Sequence, residues 1–225
     1  MKRYSIIPSF CVLVTLSWCM ISCDGFLKES PRDALPEEEG YRNMTELYLN
    51  AVASLYNYIG GNSDSQGLQG TGRGIYDLNT FTTDEAIMPT RGGDWYDGGF
   101  WQGLFLHKWG INNDAIQATW EYLYKVVMLS NKSLEQIESY ALTHADAELP
   151  AYRAEVRALR AMYYYYLTDL FGSIPLVLSS KVASKDIVLS ERENIFNFIF
   201  KELQETANFS TNRFSPLPDG MQANT

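Results

Sequence analysis

A chain of 225 residues and 25.6 kDa, 46% hydrophobic and 14% aromatic, has enough apolar side chain to bury a real core, which excludes a disordered tail and leaves room for one large or two small domains. A formal charge of −9 and a pI near 4.7 leave no general cationic field for a phosphate backbone. Nucleic acid is therefore excluded as the main partner.

The chain opens with Lys2 and Arg3, then a mostly apolar stretch from Ile6 to Ile21 that is broken by Pro8 and falls short of the roughly 20 residues a transmembrane helix needs. Residues 1–22 read as a cleaved export signal. Met20-Ile21-Ser22-Cys23 resembles the lipobox of bacterial lipoproteins, in which a small residue, here Ser22, precedes a cysteine that receives diacylglycerol before the signal is cut on its amino side. That resemblance implies lipidation at Cys23. The cysteine arithmetic agrees: Cys11 and Cys19 lie inside the signal, so the mature chain keeps Cys23 and forms no internal disulfide. Loss of Lys2 and Arg3 takes the net charge from −9 to −11. Each buried acyl methylene adds about 0.8 kcal/mol of membrane affinity, so several acyl chains hold such an acidic body without basic residues.

Residues 23–41, with Pro31, Pro36 and Glu37-Glu38-Glu39, read as a lipidated tether, and 42–225 as the helical domain. Asn43 and Glu46 have capping-box spacing; Met44, Tyr48, Val52, Leu55 and Ile59 make one apolar face, and Gly60-Gly61 stops the helix. Residues 60–103 turn to glycine, asparagine, aspartate and aromatics with almost no helical period, a length that compact domains rarely leave structureless without a function.

A second helix starts near Asn113 or Asp114, with Ile116, Trp120, Leu123, Val127, Leu134 and Ile137 on one side and Ser130 and Asn131 interrupting it. The third runs from Pro150 to a stop at Gly172, with a stripe of Val156, Leu159, Tyr163, Tyr166 and Leu170. The row Ala151, Ala154, Ala158, Ala161 beside it suits a helix sandwiched between neighbours. Within Tyr163, Tyr164, Tyr165 and Tyr166 successive rings point in different directions, so most are core or interface residues rather than one stacking platform. Ser190 and Glu193 suggest a second capping box, with Ile195, Ile199, Leu203 and Thr206 carrying a fourth helix to about Ala207.

Such helices predict an all-α fold of antiparallel pairs stacked as in a tetratricopeptide-like array, with one long irregular aromatic and glycine-rich loop. The chain stops after Pro216 and Pro218 with no capping helix, and so reads as the front part of a longer array.

Catalytic and metal chemistry find few parts. His107 and His144 are far apart, so neither a zinc cluster nor a catalytic triad is assembled, and no metal or cofactor is expected. Gly70, Gly72 and Gly74 lack the spacing and lysine of a phosphate loop. Asp84 and Glu85 invite an acid/base reading, but adjacent carboxylates seldom converge on one bond, and Thr83-Asp84-Glu85 reads as a loop cap or hydrogen-bond brace. Arg153, Arg157 and Arg160 form a basic row read as a solvated or ion-paired face, with a partner patch as the sharper alternative.

Several ordered motifs together resemble the amino-terminal portion of SusD/RagB outer-membrane lipoproteins: the lipobox with Cys23-Asp24-Gly25-Phe26-Leu27 and Pro31; Thr82-Thr83-Asp84-Glu85; Asp94-Trp95-Tyr96-Asp97-Gly98-Gly99 with Trp101 and Trp109; Glu155-Val156-Arg157-Ala158-Leu159-Arg160-Ala161; and Leu170-Phe171-Gly172-Ser173-Ile174-Pro175-Leu176. The resemblance implies an α-helical, tetratricopeptide-like fold and a non-enzymatic role at the outer-membrane surface. There the protein would bind an oligosaccharide or other nutrient and deliver it to a SusC-like TonB-dependent transporter. Members are usually much longer. A surface glycosidase or hydrolase accessory, with its catalytic part beyond Thr225, is the alternative; the lack of a convergent nucleophile or acid/base set favours the binder.

Sugar rings offer apolar C–H faces and polar edges, so a binder needs flat aromatics beside groups that pair with hydroxyls. Trp95, Tyr96 and Trp101 are the candidate platforms, with Arg91, Asp94 and Asp97 as polar partners. Folding back to plug the scaffold is the competing reading, stronger for Trp101 and Trp109 than for Trp95.

Overall fold

The computed structural model describes residues 40–61, 66–68 and 74–210. Cys23, the signal, the tether to residue 39, Gly70, Gly72 and the Pro216–Pro218 region lie outside the described residues. The end of the expected tether is already part of the domain, because Tyr41 packs half-buried against the core.

The first helix, α1, runs continuously through Met44–Leu47, Tyr48–Ala53 and Ser54–Gly60. Asn43 caps it by accepting the Glu46 amide (2.9 Å), but Glu46 returns its bond to the Arg42 amide (3.0 Å), one residue earlier than a regular capping box. The Tyr48–Ala53 segment is wound as a π-turn. Apolar positions 44, 48 and 52 recur every four residues, slower than the 3.6 period of an α-helix, and the wider turn keeps that stripe facing inward.

Residues 60–103 are less irregular than the composition predicts. Ile75–Phe81 forms a short helix, α2, and Phe100–Phe105 another, α3. Each is two turns or less, too short to display a helical period. Both are held by a small separate core of Leu78, Trp101, Leu104 and Ala115, with Phe81, Phe100 and Ile116 against it.

The long helices follow: α4 (Asp114–Ala141), α5 (Leu149–Phe171) and α6 (Arg192–Ser210). Their contacts run in opposite senses, as antiparallel pairing requires. Tyr122 meets Tyr163, Asn131 meets Arg160 and Glu138 meets Arg153 between α4 and α5. Between α5 and α6, Arg157 meets Glu205 and Tyr164 meets Phe198. The central α5 is thus sandwiched, with Ala154 and Ala161 buried in the seams. Asn113 caps α4 through the Ala115 and Ile116 amides (both 3.1 Å), and Gly172, at φ 75°, closes α5 by donating to the Thr168 carbonyl.

Two details of the last helix differ from expectation. Ser190 pairs with Ile174 in a two-stranded antiparallel ribbon, β1 (Ile174–Pro175) with β2 (Leu189–Ser190), and α6 opens only at Arg192, so no Ser190 capping box forms. Leu203 is exposed, and Glu202 takes its place on the buried face with Ile195, Ile199 and Thr206.

The reason is the arginine row. Arg157 donates to Glu202 (2.6 and 3.0 Å) and Glu205 (2.5 Å), while Arg160 donates to Glu202 (2.8 Å) and to the Asn131 carbonyl (2.7 Å). The face is ion-paired, as one of the two sequence readings holds, but Arg160 is 6% exposed and internal rather than solvated. Asn131, which breaks the apolar face of α4, is used twice: its amide also donates to the Val177 carbonyl (2.9 Å). Tyr164 completes that site by bonding both the Val177 carbonyl and amide (2.7 and 2.8 Å). Among the four tyrosines, Tyr163 and Tyr164 are fully buried and Tyr165 is exposed.

Candidate functional site

The polypeptide from Arg91 to Asp114 crosses the small core near the start of α4. Arg91 and Asp94 face each other across a tight turn, exchanging backbone bonds (Asp94 N–H to Arg91 O 3.1 Å, the reverse 3.4 Å). Gly92 sits at its first central position with φ 66°, the left-handed geometry that such a hairpin turn demands. Both flanking side chains are exposed.

Among the described residues, the non-glycine positions with positive φ are Trp95 (57°), Asp97 (44°) and His107 (55°), all within this stretch. A left-handed backbone costs an L-residue about 1–2 kcal/mol, and such strain gathers where a side chain must be aimed in a particular direction. Each of the three has an identifiable use. Trp95 projects outward and stays 52% exposed, beside Tyr96 at 54%. Asp97 opens a turn, Asp97–Gly99, whose residues all have positive φ; there its carboxylate accepts the Trp101 indole N–H at 2.7 Å. Through Nε2–H, His107 donates to the Thr82 carbonyl (2.6 Å), and its ring lies 5.3 Å from that of Trp109.

The structure divides the predicted residues into two groups. Arg91, Asp94, Trp95 and Tyr96 share one exposed turn. Trp101 leaves the set of platforms: it is only 6% exposed, wedged against Phe81 (5.0 Å) and Phe100 (4.9 Å), with its N–H engaged by Asp97. Burial of its two faces by the small core leaves none for a ligand. Asp97 works as the brace of that packing while its turn lines a neighbouring concavity.

Trp109, grouped with Trp101 as a plug by composition, has the opposite fate. It is 43% exposed and lines that concavity with Lys108, Asn112 and Asp114. Composition does not separate two tryptophans eight positions apart in glycine-rich sequence. The one usable signal is that Trp101 falls three residues before Leu104, on one helical face, whereas Trp109 is followed by Gly110.

The Thr82-to-Glu85 segment behaves as a brace. Thr82 Oγ1 donates to the Leu78 carbonyl (2.5 Å), Thr83 Oγ1 donates to Thr80 (2.8 Å) and accepts from the Glu85 amide (3.2 Å), ending α2. Asp84 and Glu85 remain exposed in this cap. Among the described residues, no group of three or more His, Cys, Asp or Glu side chains converges on a common point that would hold a metal.

Comparison with known proteins places this geometry in context. Residues 26–212 match the SusD-like family described as starch-binding and associating with the outer membrane. A SusD-like protein of Formosa agariphila is 25% identical over 204 residues, covering 88% of this chain and 37% of the relative. The starch-binding protein SusD of Bacteroides thetaiotaomicron is 26% identical over 206 residues, again 88% of this chain and 35% of the relative. Among solved structures, a laminarin-binding SusD-like protein superposes with a TM-score of 0.58 at 21% identity, over 75% of this chain and 34% of its own. A SusD-like protein from Bacteroides fragilis gives 0.58 at 19% identity, over 80% and 32%. These superpositions establish the shared helical, tetratricopeptide-like fold. The chain spans about a third of the length of the curated relatives it matches.

Proposed function

The chain belongs to the SusD-like family, and from that premise we propose that it is a cell-surface lipoprotein, anchored to the outer membrane through Cys23, that binds a glycan and delivers it to a SusC-like TonB-dependent transporter without cleaving it. The observation that carries this reading is the pair Trp95 and Tyr96, held half-exposed on a strained turn over a core that has no need of them. Solvent-facing rings on an over-determined backbone are suited to stacking on the apolar face of a sugar, and Arg91 and Asp94 supply donors and acceptors for its hydroxyls. Relatives named for starch and laminarin make glucans the first class to test. Among the described residues no helix is long and apolar enough to cross a membrane; the proposed attachment is the lipid on Cys23.

The test is a titration of the purified chain with maltohexaose and laminarihexaose, followed by tryptophan fluorescence, with reducing-end release assayed on the same samples. Saturable quenching without product supports the proposal, and product formation overturns it. Trp95→Ala is expected to weaken binding by about 0.5–1.5 kcal/mol, the value of one aromatic stacking contact, with an unchanged circular dichroism spectrum. Undiminished affinity would remove Trp95 from the site.

A further inference from the structure

We infer that the concavity between residues 97–103 and 108–114 is a second sugar-ring subsite, separate from the Trp95 and Tyr96 platform, and that it takes an uncharged hexose unit; the inference rests on the glycan-binding reading above.

The space measures about 510 Å³, inside the range of roughly 300–1,000 Å³ usual for small-molecule sites. Trp109 and Phe100 supply apolar wall, and Lys108, Asn112 and Asp114 supply polar edge. That is the division a sugar ring requires: a flat surface for its C–H face and several donors and acceptors for the hydroxyls around its rim. Trp109 is half-exposed but held on one side by a neighbouring ring. Its neighbour His107 has a left-handed backbone, is pinned to the Thr82 carbonyl, and packs its ring against the indole at 60°. Gly110 in the same wall has no positive φ, and a Cβ there would meet nothing within 4 Å. Neither backbone conformation nor internal packing calls for glycine at that position.

Charge narrows the ligand class. The lining carries Asp97, whose carboxylate accepts the Trp101 indole N–H, together with Asp114 and Lys108, one negative charge in excess, and on the adjacent turn the charges of Arg91 and Asp94 cancel in sum. The chain as a whole carries −9. A uronate or sulfated sugar would bring like charge into an already negative wall, whereas hydroxyls pair with carboxylate and ammonium alike. A neutral hexose is the unit these edges suit.

Isothermal titration of the whole chain at low ionic strength, with maltohexaose and laminarihexaose against hexagalacturonate, tests both parts. A neutral ligand should bind at least about tenfold more tightly than the acidic one. Trp109→Ala should weaken the neutral ligand by about three- to tenfold while the thermal melt stays unchanged. Asp114→Asn, which removes charge without removing a platform, should narrow the neutral-over-acidic preference. Wild-type affinity in Trp109→Ala alongside a loss in Trp95→Ala would overturn the subsite and leave the glycan-binding reading standing. Equal or tighter binding of hexagalacturonate would overturn the neutral assignment. Binding of neither neutral hexaose by the wild-type chain would defeat the broader reading and the subsite with it.

Discussion

Removing the Glu202 carboxylate should be among the costliest single changes to this domain, and the network around it allows the size to be worked out. Glu202 is 5% exposed and receives bonds from both Arg157 and Arg160. In Glu202→Ala, Arg157 keeps Glu205 at its outer edge, but the buried Arg160 is left with neutral partners, the Asn131 side-chain carbonyl and the face of the Phe198 ring. Breaking a buried pair by deleting one partner typically costs about 3–5 kcal/mol, because a charge is left in low dielectric without compensation. For a domain of this size that corresponds to a fall in melting temperature of roughly 10 °C. Replacing both members, Arg160→Met with Glu202→Leu, removes the orphaned charge and should recover much of the loss, so a double-mutant cycle by urea denaturation should show strong coupling. The pH dependence has a definite sign. Burial pushes the Glu202 pKa up, but the hydrogen bonds and charges of Arg157 and Arg160 outweigh it and hold the carboxyl below its ordinary value. A depressed carboxylate pKa contributes stability that is fully present above the unfolded value, near 4.3, and is lost as pH falls through the folded value. The gap between wild type and Glu202→Gln should therefore be widest near neutral pH and shrink in acid. A loss below about 1 kcal/mol, or a double variant as unstable as the single one, would refute the argument.

Two further substitutions have definite expected outcomes. Trp101→Ala empties the small core under the candidate site and should cost about 3–5 kcal/mol in local stability, read as loss of hydrogen-exchange protection in α2 and α3 ahead of α5. Cys23→Ala should release the chain from membranes into the soluble fraction on cell fractionation; persistent membrane association would refute the lipid anchor.

The long helices were legible because their signals are local and repeated. Asn113 as cap, Gly172 as stop and apolar residues at helical spacing over many turns leave one solution for α4 and α5. In contrast, α2 and α3 have too few turns for a period to stand out, and their order comes from Leu78, Trp101 and Leu104 meeting Ala115 from α4, a contact between distant segments. The exchange of Leu203 for Glu202 has the same cause. Positions 195, 199 and 203 look like the better apolar stripe, yet 195, 199, 202 and 206 follow the helical period as well, and a buried glutamate is acceptable only because Arg157 and Arg160 await it on α5. In the candidate site, the aromatic residue types and the glycine-assisted turn were readable, whereas the division between buried Trp101 and exposed Trp109 depended on which indole the Asp97 turn captured.

The surface between Arg91 and Asp114 is the proposed seat of a glycan. A crystal structure of the chain soaked with maltohexaose or laminarihexaose addresses it most directly. A sugar ring should be found stacked on Trp95 or Trp109, with hydroxyls paired to the neighbouring charged and amide side chains. An oligosaccharide seated elsewhere on the helices, with both indoles left bare, would contradict it.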